Sequence, residues 1–127
     1  MTKEKAELFD KIQSQMEEIY NEISILSKKS QNDPLNEFKL RFVNDLLEEA
    51  NILLDRKYKP FKDFQKFDKD KLPTNSDVVM ILSQYLSCLE NMKIDNIQNS
   101  LGTWYWITED KKSHIKTSKP EKLIWGE

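Results

Sequence analysis

The chain has one cysteine, Cys88, and one histidine, His114, and these are the first places to look for chemistry. A thiol nucleophile needs a base beside it and an electropositive setting that lowers its pKa. Cys88 instead falls among Leu82, Tyr85 and Leu89 on the apolar side of an amphipathic stretch, which predicts a buried, inert thiol. His114 stands near Lys111, Lys112 and Lys116, whose charge disfavours the imidazolium a general acid would need. An exposed strand histidine is expected there. A single thiol and a single imidazole also exclude an internal disulfide and any site needing two of either. With only Gly102 and Gly126, no glycine-rich phosphate loop is present.

Carboxylates are the remaining chemical resource. Asp45, Glu48 and Glu49 cluster on one helical face, with Asp45 and Glu49 four residues apart. Metal or acid–base chemistry requires such groups to converge with others in a cleft. All-α magnesium-dependent nucleotide pyrophosphatases pair E-x-x-E and E-x-x-D helices. Glu4-Lys-Ala-Glu7 has the first spacing, but no E-x-x-D follows at a workable distance. The acidic face is thus read as solvated or as a surface for a basic partner. No catalytic residue, cofactor or metal is expected.

The segment 56–71 offers a different chemistry. Lys57, Lys59, Lys62, Lys66 and Lys69 could neutralise phosphates while Tyr58, Phe61, Phe64 and Phe67 stack on unpaired bases. Against this, Asp63, Asp68 and Asp70 would repel phosphate, and the rings could equally anchor a loop to a helical body. A winged-helix arrangement, with Lys111 and Lys112 at the wing tip, would make 76–95 the reading helix. Val78 to Met92 contains no lysine or arginine, a poor fit to that role.

Charge is segmented along the 127 residues, whose net charge is −2. Residues 1–55 carry 12 acidic against 7 basic side chains, whereas 56–71 carry 7 basic against 3 acidic. Residues 72–110 are acidic again and 111–127 basic. This pattern describes an acidic helical body with two basic segments rather than a uniform polyanion binder. The N-terminal residues have no apolar signal core, and no run approaches the ~20 apolar residues of a membrane span. A cytoplasmic protein without a membrane segment is expected.

The elements that must position these residues follow from periodicity. Phe9, Ile12, Met16, Ile19, Ile23 and Leu26 step by 3, 4, 3, 4, 3 and define one stripe of a helix over about 4–29. The stripe suits either a bundle core or a self-association surface. Asp33-Pro34 reads as N-cap and first helical residue of a second helix, over 34–57. Its broad apolar face includes Leu35, Phe38, Phe42, Val43, Leu46 and Leu47, and Pro60 closes it. A basic aromatic loop over 57–73 follows, with one helical or 3₁₀ turn around 61–67. Thr74 to Asp77 forms a capping box before a third helix over 76–95. Trp104, Tyr105 and Trp106 lie in a strand-like run that should return near 114–117, giving a C-terminal hairpin within 102–120.

These observations define one mainly α domain, with a three-helix bundle-like core spanning 4–97 and a short C-terminal β-hairpin. The expected function is non-enzymatic: a small regulator, adaptor or inhibitor that binds another protein. The apolar stripe from Phe9 to Leu26 would support a homo-oligomer. Asp45, Glu48 and Glu49 would steer a basic target, and Trp104, Tyr105 and Trp106 would anchor it. The alternative is a nucleic-acid accessory protein using 56–71 and 111–122.

Overall fold

The computed structural model describes residues 1–108 and 115–121. Three helices, α1 (Lys3–Ser30), α2 (Glu37–Tyr58) and α3 (Asn75–Asp95), precede a small sheet of β1 (Ile97–Ser100), β2 (Thr103–Trp106) and β3 (Lys116–Thr117). The chain is thus mainly helical with a minor C-terminal sheet, as its periodicity predicts. No helix among the described residues is long and apolar enough to cross a membrane.

Each helix starts where a polar side chain satisfies a free amide of its first turn. Thr2 accepts from Lys5 N–H, Asn36 from Lys39 N–H and Thr74 from Asp77 N–H. The second of these corrects the expected start of α2. Asp33 and Pro34 do not cap it, because their backbone is occupied elsewhere. Asp33 C=O accepts from Asn75 N–H, and Pro73 C=O accepts from Leu35 N–H. The connection between α1 and α2 is thereby tied to the start of α3.

That tie fixes the order of directions. Lys39 pairs with Glu22 at 3.2 Å, so α1 and α2 are antiparallel. The end of α1 meets the start of α3, so α1 and α3 are antiparallel as well. Hence α2 and α3 run parallel, and the chain must travel back along α2 before α3 can begin. Residues 59–73 make that return. A helix of this length spans ~33 Å, within easy reach of an extended segment of this size. The return strap is pinned as it goes: Asn51 donates to Gln65 C=O, and Asn44 both donates to Phe67 C=O and accepts from Phe67 N–H. Residues 61–67 form no helical or 3₁₀ turn, contrary to expectation. Its rings still line up: Phe61–Phe64 and Phe64–Phe67 make edge contacts at 5.9 and 5.2 Å, and Phe61 and Phe64 lean on Tyr85 of α3. A three-residue spacing aligns side chains on an extended threefold path as well as on a 3₁₀ turn.

The core contains residues of all three helices and the sheet, with Phe9, Ile12, Met16, Leu47, Leu82, Tyr85, Leu89 and Trp106 fully enclosed. The expected hairpin is present as the β2–β3 pair, with Trp104 opposite Thr117 and Tyr105 opposite Lys116. β1 is an addition to it. Ile97–Ser100, expected to be the fraying end of α3, pairs antiparallel with β2. The β1–β2 turn places Leu101 and Gly102 at φ +54° and +87°. Two positive φ values are what a tight two-residue hairpin of right-handed twist requires, and glycine meets one of them without steric cost.

Candidate functional site

The structure separates the sequence-predicted residues into three groups. The helix-one stripe faces inward: Phe9, Ile12, Met16 and Ile23 are enclosed by the chain's own core, and Ile19 and Leu26 are half-buried. The expected self-association surface is therefore not an open one. Bundle packing against α2 and α3 accounts for its periodicity. The Trp-rich strand is likewise mostly inward. Trp106 is 0% exposed, with its ring 4.9 Å from Phe9 and its indole N–H donating to Asp10 Oδ2 at 3.0 Å. Trp104, on the same strand face, packs against the core; Tyr105, on the other, is half-buried. The anchor role expected of Trp106 is thus corrected, because its ring closes the bundle end, while Trp104 stays half-buried.

The basic aromatic segment is also turned inward by its rings. Phe61, Phe64, Phe67 and Tyr58 pack against the core, and Tyr58 donates to Asp95 at 2.8 Å. Lys66 pairs with Glu48 at 2.6 Å, and the Lys57 ammonium lies 5.1 Å from the Tyr58 ring. Lys59 is half-buried; Lys62 and Lys69 are exposed. Glu48 holds the Lys66 pKa above its ordinary value through hydrogen bonding and charge. Lys111, Lys112 and His114 lie outside the described residues. Cys88 is half-buried on α3 rather than fully enclosed.

What the bundle leaves outside is the outer face of α2. Leu40, Val43, Leu47, Ala50 and Leu54 step by 3, 4, 3, 4 and face the core. Phe38, Phe42, Asp45, Glu49 and Ile52 follow an equivalent stepping, offset by about half a turn, and face away. Phe38 is 64% exposed, Phe42 46% and Ile52 80%. The two phenylalanine rings touch edge to face at 5.0 Å, and the Arg41 guanidinium carbon lies 5.6 Å from each ring centre. Both rings had been expected in the broad apolar face of the helix. Carrying the stepping through to Asp45 and Glu49 would have marked them as outward, since the inner stripe has no charged member.

Two clefts flank this face. One, of about 650 Å³, lies between α2 and the return strap, with Phe38, Arg41 and Asp45 on one wall and Lys66, Lys69 and Asp70 on the other. The second, of about 210 Å³, lies between α1 and α2. Ile19, Phe42 and Leu46 provide its apolar lining, and Glu18, Asp45 and Glu49 its carboxylates. No group of three or more histidine, cysteine, aspartate or glutamate residues among the described residues is placed to hold a metal.

A separate charged cluster holds the C-terminal strap. Glu90, mostly buried, accepts from Glu121 N–H and from Gln13, while the buried Lys93 ammonium donates to Ser118. Asp10 accepts from Thr117 as well as from Trp106. Partial burial and the Glu121 carboxylate hold the Glu17 pKa above its ordinary 4.5; Lys93 opposes this and Glu90 adds to it. A carboxyl whose pKa rises on folding favours the folded state at acid pH, and that contribution is lost as pH rises through the folded value. Glu17→Gln is therefore expected to raise Tm at neutral pH and to leave it unchanged below about pH 4. Thermal melts across that range check it; a pH-independent increment would separate Glu17 from the cluster.

Comparison of the chain with protein-family models, curated proteins and solved structures gives no match.

Proposed function

We propose that this is a non-enzymatic protein-binding module, a small regulator, adaptor or inhibitor, which engages another protein through the outer face of α2. The Phe38–Phe42 pair carries this reading. Two large rings standing outside the core contribute little to the chain's own burial, and aromatic and arginine side chains are the groups interfaces use as anchors. Asp45 and Glu49, expected from the sequence to steer a basic target, share that helix face. Phe38 and Phe42 thus take over the anchoring role expected of the Trp-rich strand. The lone Cys88 suits a cytoplasmic setting, where thiols stay reduced.

The nucleic-acid alternative is less well supported. Its aromatic residues pack on Tyr85 and the core rather than facing solvent, and Lys66 already has an acidic partner.

A photo-crosslinking phenylalanine analogue at position 38, expressed in the native host, tests the proposal. We expect a discrete adduct of defined mass that disappears when Phe42→Ser is added. The Phe42→Ser change alone should cost about 1–2 kcal/mol, as expected for a ring that is about half buried, and leave the cooperative fold intact. Adducts no different from those formed at exposed Glu4 would refute an interface here.

A further inference from the structure

Resting on that protein-binding reading, we infer that the occupant of the α2 face is a basic amphipathic helix, one of whose arginine or lysine side chains enters the cleft between α1 and α2. The cleft combines two features that such a side chain matches at once. Its apolar lining of Ile19, Phe42 and Leu46 accommodates a methylene stem, and the carboxylates of Glu18, Asp45 and Glu49 receive the cationic head. No lysine or arginine of the described residues lines it. The neighbouring carboxylate Glu48 already pairs with Lys66 of the strap, and Glu22 with Lys39, whereas Glu18, Asp45 and Glu49 form no close ion pair among the described residues, Asp45 acting on Lys66 only at longer range.

The remaining geometry accommodates a helix. Phe38 and Phe42 are one turn apart and in mutual contact, so a partner helix can cover both with apolar residues at i and i+4. Its cations would then lie to the C-terminal side of that pair, away from Arg41, with one directed to the cleft and others along Asp45 and Glu49. A second copy of this chain is the competing occupant. A parallel pairing would set the Asp45 and Glu49 rows against each other, whereas an antiparallel one centred on Phe42 would set Asp45 near Lys39 and Arg41 of the other copy, so the solution mass decides between the two occupants.

The test uses the whole protein and two labelled synthetic amphipathic helices, one of leucine and arginine, the other with glutamate replacing each arginine. Fluorescence anisotropy should show binding of the arginine peptide alone, weakening as salt is raised. Phe42→Ser and the double change Asp45→Lys/Glu49→Lys should each weaken it by about tenfold or more. Glu4→Lys, at the far end of α1, should change it less than about twofold. Equal weakening by Glu4→Lys would mean general charge attraction and overturn the inference, as would binding of the glutamate peptide. A dimer in light scattering that Phe42→Ser dissociates would assign the face to a second copy instead. A crosslinked partner at position 38 whose contacting segment is acidic would overturn this inference and leave the protein-binding reading intact. Absence of a discrete adduct would overturn that reading itself.

Discussion

Replacing Trp106 by alanine is expected to destabilise the fold by about 3–5 kcal/mol, the range for truncating a fully enclosed large aromatic. The side chain is 0% exposed, meets Phe9 edge to face and donates its indole N–H to Asp10. Alanine removes all three contributions at once. It leaves a void beside Phe9 and withdraws one of the two side-chain donors that hold the Asp10 carboxylate among the described residues, the other being Thr117. Because Asp10 joins α1 to both β2 and β3, the sheet should loosen along with the core. Trp106→Phe separates the two effects. It keeps an aromatic ring against Phe9 while deleting the indole donor, so a smaller loss is expected, with ~1–2 kcal/mol from the hydrogen bond. Urea unfolding of both variants measures this. A cost below ~1 kcal/mol for alanine would mean that the C-terminal sheet is not integral to the core.

The contrast between Trp106 and Phe42 explains what the sequence could reveal about this molecule. Amphipathic stepping identifies helices because it depends on local geometry alone, and Phe9 to Leu26 and Val78 to Met92 behave accordingly. The Thr74 cap was legible for the same reason. Topology depends on contacts distant in sequence. The parallel arrangement of α2 and α3 rests on Asp33, Leu35, Pro73 and Asn75 meeting across about 40 residues, and local propensity favoured a different use of Asp33-Pro34. Once those helices are parallel, the phenylalanine-rich strap has to exist, and its rings are required inside. β1 was missed for a related reason: four residues continuing from a helix without glycine or proline acquire strand geometry only through their pairing with Trp106 and its neighbours.

The candidate site was partly legible. Asp45 and Glu49 stand out as an acidic pair at helical spacing, and the structure leaves them exposed. Of the expected aromatic anchors, Trp106 is removed by its burial, because tryptophan in a strand resembles an interface by type whereas exposure is a property of packing; Trp104 and Tyr105 stay half-buried. Trp106 fills the bundle end, whereas Phe38 and Phe42 stay 64% and 46% exposed. Composition ranks the tryptophans first; only the placement of the helices reverses that order.

Among the residues of α2 that hold the return strap, Asn51→Leu should be the costliest change, at about 2–4 kcal/mol, since two partners are orphaned together. Asn51 donates to Gln65 C=O at 2.9 Å and accepts from the Tyr85 hydroxyl at 2.7 Å. Tyr85 is fully enclosed, so its hydroxyl loses this acceptor in a buried setting. Burial holds the Tyr85 pKa above its ordinary 10.0. Adding Tyr85→Phe removes the stranded hydroxyl, so the double variant should be more stable than Asn51→Leu alone, a non-additivity expected of contacting residues. Hydrogen exchange should quicken around Gln65 while Phe67, held by both ends of the Asn44 amide, stays protected. If Asn51→Leu unfolds within ~0.5 kcal/mol of the parent, the strap is held by its rings alone, and the polar clamp is incidental. If the expected loss is seen, the same strap that completes the bundle also fixes the wall bearing Lys66 and Lys69 opposite Phe38 and Arg41, so the outer face of α2 inherits its shape from a pair of buried asparagine bonds.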